Sequence, residues 1–132
     1  MLKPNIKNLL FYIFFKYLIF YIFMMFRNNN FALIEIFDLK TLEDLFYYLW
    51  TFLFLPVLIS IILLVPLNYT FKIKNGLYFL LVINLVLVTE YFIYTFLASQ
   101  LNLWNGIYNA IIGLLLLGLF FYKEILFILK NN

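Results

Sequence analysis

The chain has 132 residues, 67% of them hydrophobic and 11% charged, with a formal net charge of +3 and neither cysteine nor histidine. A soluble domain carries about a quarter of its residues as charges, so this chain cannot clothe a soluble surface, and its apolar residues must face lipid or other membrane subunits. The missing Cys and His exclude disulfides, thiolate or imidazole metal sites, haem ligation by either residue, and Cys/His catalysis.

The first apolar run, residues 9–26, follows Lys3 and Lys7 and is closed by Arg27. At 1.5 Å per residue it covers about 27 Å, enough to span a bilayer core. A basic start also fits a signal peptide, but the run is long and no small-residue cleavage site follows, so a retained span is expected. A polar outer loop, 27–41, comes next and holds Glu35 and Asp38. Thr41, Glu43 and Asp44 then read as a helix start. The Thr41 hydroxyl can accept from the Asp44 N–H while the Asp44 carboxylate reaches back, and both acids suit the positive end of the helix dipole.

The second helix is expected at 42–65. Pro56, near its middle, removes a backbone donor and should kink it, and Pro66 should end it. The turn 68–76 carries Lys72 and Lys74. Its Asn68-Tyr69-Thr70 matches a glycosylation sequon but falls on the inner side, where the match is chance. Third and fourth helices are expected at 77–98 and 106–122, joined by an uncharged link. Lys123, Glu124 and Lys130 follow, around an apolar stub at 125–129 that either extends helix four or lies at the interface.

The expected fold is an all-α integral membrane protein, one membrane domain over residues 1–132, with four transmembrane helices. Alternating spans put Lys3, Lys7, Lys72, Lys74, Lys123 and Lys130 on one side, and Arg27 and Lys40 on the other. The bias places both termini on the inner side, matrix or cytoplasmic. Trp50 and Trp104 fall near the outer ends of helices two and four, where an interfacial belt belongs.

Two charges lie within the spans. Glu90 sits near the middle of helix three, where a lone acid costs about 2.5–3.5 kcal/mol even on a lenient insertion scale. It must be protonated, paired or buried against a polar group, either as a proton-relay carboxylate or, as the favoured reading, as a structural contact inside a larger complex. Lys16 lies at a different depth, about 9 Å away by residue count, so snorkelling to the inner interface is favoured over a direct pair with Glu90. Asn84, Tyr91 and Thr95 form a polar stripe within about 40° around helix three. Tyr94 shares the neighbouring face with Glu90. The stripe marks a protein-facing side. Glu90, Lys16, Asn84 and Tyr94 are thus the candidate intramembrane polar or proton site.

Gly106, Ala110 and Gly113 give helix four a small-residue packing face, with Asn102, Asn105 and Asn109 on an adjacent stripe. No catalytic, cofactor-binding or metal-ligating residue is expected. The aromatic residues, scattered through apolar runs, are lipid-facing bulk rather than a nucleic-acid surface. Bound lipid such as cardiolipin is compatible with such a chain.

Composition carries a further signal. Phe, Leu, Ile, Asn, Lys and Tyr dominate, whereas Ala occurs three times against thirteen Asn. Membrane location does not explain that ratio, while an extremely A/T-rich genome does. Short-looped spans, this composition and minimal polar equipment together resemble the hydrophobic proteins of protist mitochondrial genomes, the "ymf" reading frames of ciliates above all. The resemblance covers the whole chain and rests on composition and architecture, so it transfers no residue roles. It implies a non-catalytic subunit of a respiratory-chain complex in the mitochondrial inner membrane, complex I ahead of complex IV or ATP synthase, packed among other membrane subunits and lipid. Compared with the small antiporter-adjacent core subunit of complex I, only Glu90 is present and helix four has no acid. The bacterial GtrA-like family also has four spans in a chain of this length. Leu67-Asn68-Tyr69-Thr70-Phe71 is similar to its Asn-rich aromatic stretch, but Phe120-Phe121-Tyr122-Lys123 lacks the matching Asn. That resemblance implies a small transporter or lipid-carrier flippase in a bacterial inner membrane.

Overall fold

A computed structural model describes residues 2–29 and 40–130, and all regular structure among them is helical. Most of the 27–41 loop, with Glu35 and Asp38, lies outside the described residues. Helix α1 is Ile6–Asn28, α2 is Leu42–Leu49, and α3 is Leu55–Thr70, joined to α2 by a π-helical turn at Trp50–Phe54. Helices α4, Gly76–Ala98, and α5, Leu103–Lys130, complete the chain.

Asparagine and threonine start the helices. Asn5 accepts from the Asn8 N–H at 2.8 Å, and Asn75 from the Tyr78 N–H at 3.1 Å. Each satisfies a donor that an α-helix leaves free in its first turn. Thr41 and Asp44 form the reciprocal capping box: the Thr41 hydroxyl accepts from the Asp44 N–H at 3.1 Å, and the Thr41 N–H donates to Asp44 Oδ2 at 2.9 Å. Asn29 closes α1 in the left-handed region (φ 51°), where asparagine is tolerated, and its N–H caps the Met25 and Phe26 carbonyls.

The helix ends differ from the sequence expectation in instructive ways. Helix α1 starts at Ile6 rather than residue 9, because the Asn5 cap recruits the polar turn that precedes the apolar run. The break expected at Pro56 is realised as the π turn just before it, where the Leu55 N–H bonds back to Trp50 O. Pro66 does not end α3; the helix continues to Thr70, whose hydroxyl donates to Pro66 O at 2.7 Å. A proline deletes a single helical donor, and four further residues carry the helix past it. The stub 125–129 extends α5 rather than forming a separate segment. It lies beyond a kink at Phe121 (φ −115°, ψ 18°).

Helices α1 and α4 each pack on both α3 and α5. They therefore face each other diagonally across the middle of the bundle. The Leu2 N–H donates to Phe120 O at 3.0 Å, and Phe71 stacks against both Phe79 and Phe121. The start of α1, the end of α3, the start of α4 and the end of α5 thus share one end of the molecule. Arg27, at the other end of α1, donates to Asn105 Oδ1 at 3.1 Å and lies over the Tyr108 ring.

The burial pattern inverts that of a soluble protein. Phe14, Val65, Leu85, Phe96, Leu115 and Leu119 are among many large apolar side chains left outside, whereas Lys16, Glu90, Thr95 and Asn109 are buried. Helices α1, α4 and α5 are each long and apolar enough to cross a membrane, and α3 is a shorter apolar helix. This is the pattern of a helical membrane protein.

Candidate functional site

Within the largely apolar core of the bundle lies a small polar cluster. Along α1 the buried stripe is Leu9, Tyr12, Ile13, Lys16, Tyr17 and Phe20, the spacing of one helical face. Lys16 lies in the middle of that stripe and is 1% exposed. Its ammonium contacts Glu90 Oε2 across the bundle at 2.5 Å. Glu90, 4% exposed, takes the Tyr17 hydroxyl on its other oxygen at 3.1 Å. Both carboxylate oxygens are thereby engaged. The Lys16–Glu90 contact is an ion pair without the angle of a directed hydrogen bond, and the ammonium also lies 5.6 Å from the Tyr17 ring centre.

Snorkelling, the sequence expectation for Lys16, is therefore overturned. The longer α1 explains the difference. Measured from the helix starts that share one end of the bundle, Lys16 is about 15 Å deep and Glu90 about 21 Å. The lysine stem spans the remainder.

Helix α5 supplies the space. A Cβ on Gly113 would stand 2.7 Å from Lys16 Cε and 2.8 Å from Nζ, so any larger residue there would push the end of the lysine stem from its place beside the α5 backbone. The Gly113 carbonyl accepts the Tyr12 hydroxyl at 2.9 Å. One turn away is Asn109, 1% exposed, whose amide lies beside the Tyr17 hydroxyl but outside directed hydrogen-bond geometry. Tyr94 packs on Phe20 edge to face at 5.3 Å and beside Tyr17. It walls the outer side of the cluster.

The structure thus gathers Glu90, Lys16 and Tyr94 and excludes Asn84. Asn84 lies on the exposed face of α4, where its Nδ2 donates to its own helix at Leu80 O. Gly113 belongs to the cluster. Gly106 packs against Tyr91 and Thr95, and Ala110 is only half-buried. Sequence reasoning missed Tyr12 and Tyr17 altogether and treated Asn109 as packing. The available signal was their spacing from Lys16 on one face of α1, four residues before it and one after.

Chemically the cluster is a neutralised pair buttressed by two phenols and an amide. Among the described residues, no group of three or more acids could hold a metal ion. No protein-family model matches the chain, and comparisons with curated proteins and with solved structures find no match.

Proposed function

We propose that the protein is a non-catalytic membrane subunit of a larger assembly, in which a four-span bundle is held by its own central ion pair and presents an apolar exterior to partners and lipid. In this reading the helix from Leu42 to Thr70, broken at its π turn, is the fourth crossing. At 1.5 Å per residue it runs for about 43 Å, ample for a core of about 30 Å. Both termini then lie on the inner side, with most of the lysines.

The observation that carries the proposal is the engagement of Glu90. Its two oxygens are taken by Lys16 and Tyr17, and the pair is sealed from the surface. A relay carboxylate exchanges protons with neighbours and water, whereas this one is committed to a lysine. The group serves the fold, and the protein's work is done by its outer surface. Composition supports the compartment: an A/T-biased hydrophobic chain fits the mitochondrial inner membrane and a respiratory-chain complex, complex I before complex IV or ATP synthase.

The test is extraction in a mild detergent followed by native electrophoresis and identification of what migrates with the chain. Migration within a large assembly of respiratory subunits is expected. A free monomer or small homo-oligomer would sink the proposal and favour an independent transporter.

A further inference from the structure

Where α4 and α5 pack together, their exposed side carries a furrow between the two helices. Asn84, Val88 and Tyr91 of α4 face Ile107, Ala110 and Leu114 of α5 across a furrow of about 370 Å³. The furrow continues past Tyr91 into a second hollow of about 380 Å³ that reaches Leu103. From Leu103 to Leu114 it is about 16 Å long, three turns of helix. Ala110 keeps its floor low.

Most of its lining is apolar, but two groups are not. Asn84 uses one amide hydrogen on its own backbone, and its Oδ1 has no donor among the described residues. The Tyr91 hydroxyl likewise has no hydrogen-bond partner among them. Counted from Gly76, the two lie about 12 and 22 Å along α4, inside a core of about 30 Å. They sit seven residues apart, two turns, on one face. Among the described residues nothing answers them, and lipid tails offer no hydrogen bonds.

We infer that this furrow is the seat of a transmembrane helix from a different subunit, one carrying hydrogen-bonding side chains about two turns apart to meet Asn84 and Tyr91. The inference rests on the subunit reading and names its contact surface. An acyl chain would fill the furrow but leave both polar groups unanswered. A second copy related by a two-fold axis would set furrow against furrow, two concave surfaces, whereas a furrow accepts the side-chain ridge of a third helix. Small residues at a helix seam with polar groups beside it are what association in lipid uses.

The experiment compares four chains expressed in the native membrane and run on native gels after mild extraction: wild type, Asn84→Leu/Tyr91→Phe, Ala110→Phe, and Val57→Phe on the exposed face of α3 as control. Wild type and the control should migrate in the large assembly. The Asn84/Tyr91 double variant should lose at least tenfold of its assembled fraction, and Ala110→Phe nearly all, with helical circular dichroism unchanged. Should Ala110→Phe fail to fold, the double variant decides, since it alters no buried contact of the bundle core. Furrow variants that remain assembled like wild type would overturn the inference while leaving the subunit reading intact. A wild type that runs free would defeat both. Loss of co-purifying phospholipid with assembly unchanged would assign the furrow to lipid, and loss of a homodimer would assign it to a second copy. Either result overturns the inference.

Discussion

Lys16 and Glu90 would each be a liability alone in hydrocarbon, and together they are nearly neutral. Breaking a buried pair by removing one partner leaves an uncompensated charge and costs about 3–5 kcal/mol, whereas replacing both partners with apolar residues of similar size is often neutral. We therefore expect Lys16→Met and Glu90→Met each to lower the stability of the detergent-solubilised bundle by roughly 3 kcal/mol. The double variant should recover most of that loss. Denaturant titration followed by circular dichroism measures all three, and simple additivity of the single losses would contradict the pairing. Gly113 belongs to the same argument, because its missing side chain is what admits the ammonium. From the sequence, Glu90 stood out because a carboxylate in an apolar run has to be explained. Its partner was harder to read. The geometry depends on where α1 begins, and that beginning is set by Asn5, outside the hydrophobic run.

Among the elements, the capping box before α2 was the most legible feature, since its chemistry is complete within four consecutive residues. Hydrogen bonds from the Thr41 hydroxyl first, then from the Thr41 and Lys40 backbone N–H groups, hold the Asp44 carboxyl below its ordinary range. A carboxyl whose folded value is depressed stabilises its element above the unfolded value, about 3.9, and stops doing so as the pH falls through the depressed one. The amide-exchange protection factor at the start of α2 should therefore be flat near neutrality and fall only below about pH 4. Thr41→Ala should weaken that pH dependence and Asp44→Asn should abolish it, and an unchanged profile in the Asp44 variant would dismiss the cap as its source. Prolines were harder to read. Pro56 was expected to kink the second helix and Pro66 to end it, yet Pro56 follows a π turn and Pro66 is carried through a continuous helix. The outcome depends on tertiary packing, because Leu55, Ile59, Leu63 and Leu67 must keep a single buried face along α3.

For the whole molecule, the proposed four-span arrangement with inner termini can be tested directly, because the chain contains no native cysteine to interfere. Lys3→Cys and Lys130→Cys should react with an impermeant maleimide only from the inner side of sealed vesicles, and Leu101→Cys, at the exposed α4–α5 link, only from the outer side. Labelling of Lys3 and Leu101 variants from the same side would refute the arrangement. The all-helical class was readable because long apolar runs separated by polar turns leave few choices, and three of those runs are helices long and apolar enough to cross a membrane. The faces of those helices were not readable. When nearly every residue in a run is apolar, periodicity carries no direction, so the diagonal approach of α1 and α4 had no signature. The stripe Asn84–Tyr91–Thr95 was expected to face protein, and it divides: Thr95 and the Tyr91 ring lie against Gly106, while Asn84 is exposed along the furrow that Tyr91 also lines.

The diagonal placement of the ion pair has a consequence for how the chain is made. Lys16 lies on α1, which is synthesised before α4 and its Glu90. During that interval α1 holds an unanswered ammonium, which disfavours its release into the bilayer centre by about 2.5–3.5 kcal/mol. The nascent chain then has reason to linger at the insertion machinery or near the membrane surface. The arrival of α4 supplies the carboxylate, so α1 should settle only once α4 has been made, and a chain truncated before α4 should be cleared faster than the full chain, a difference that pulse-chase labelling measures.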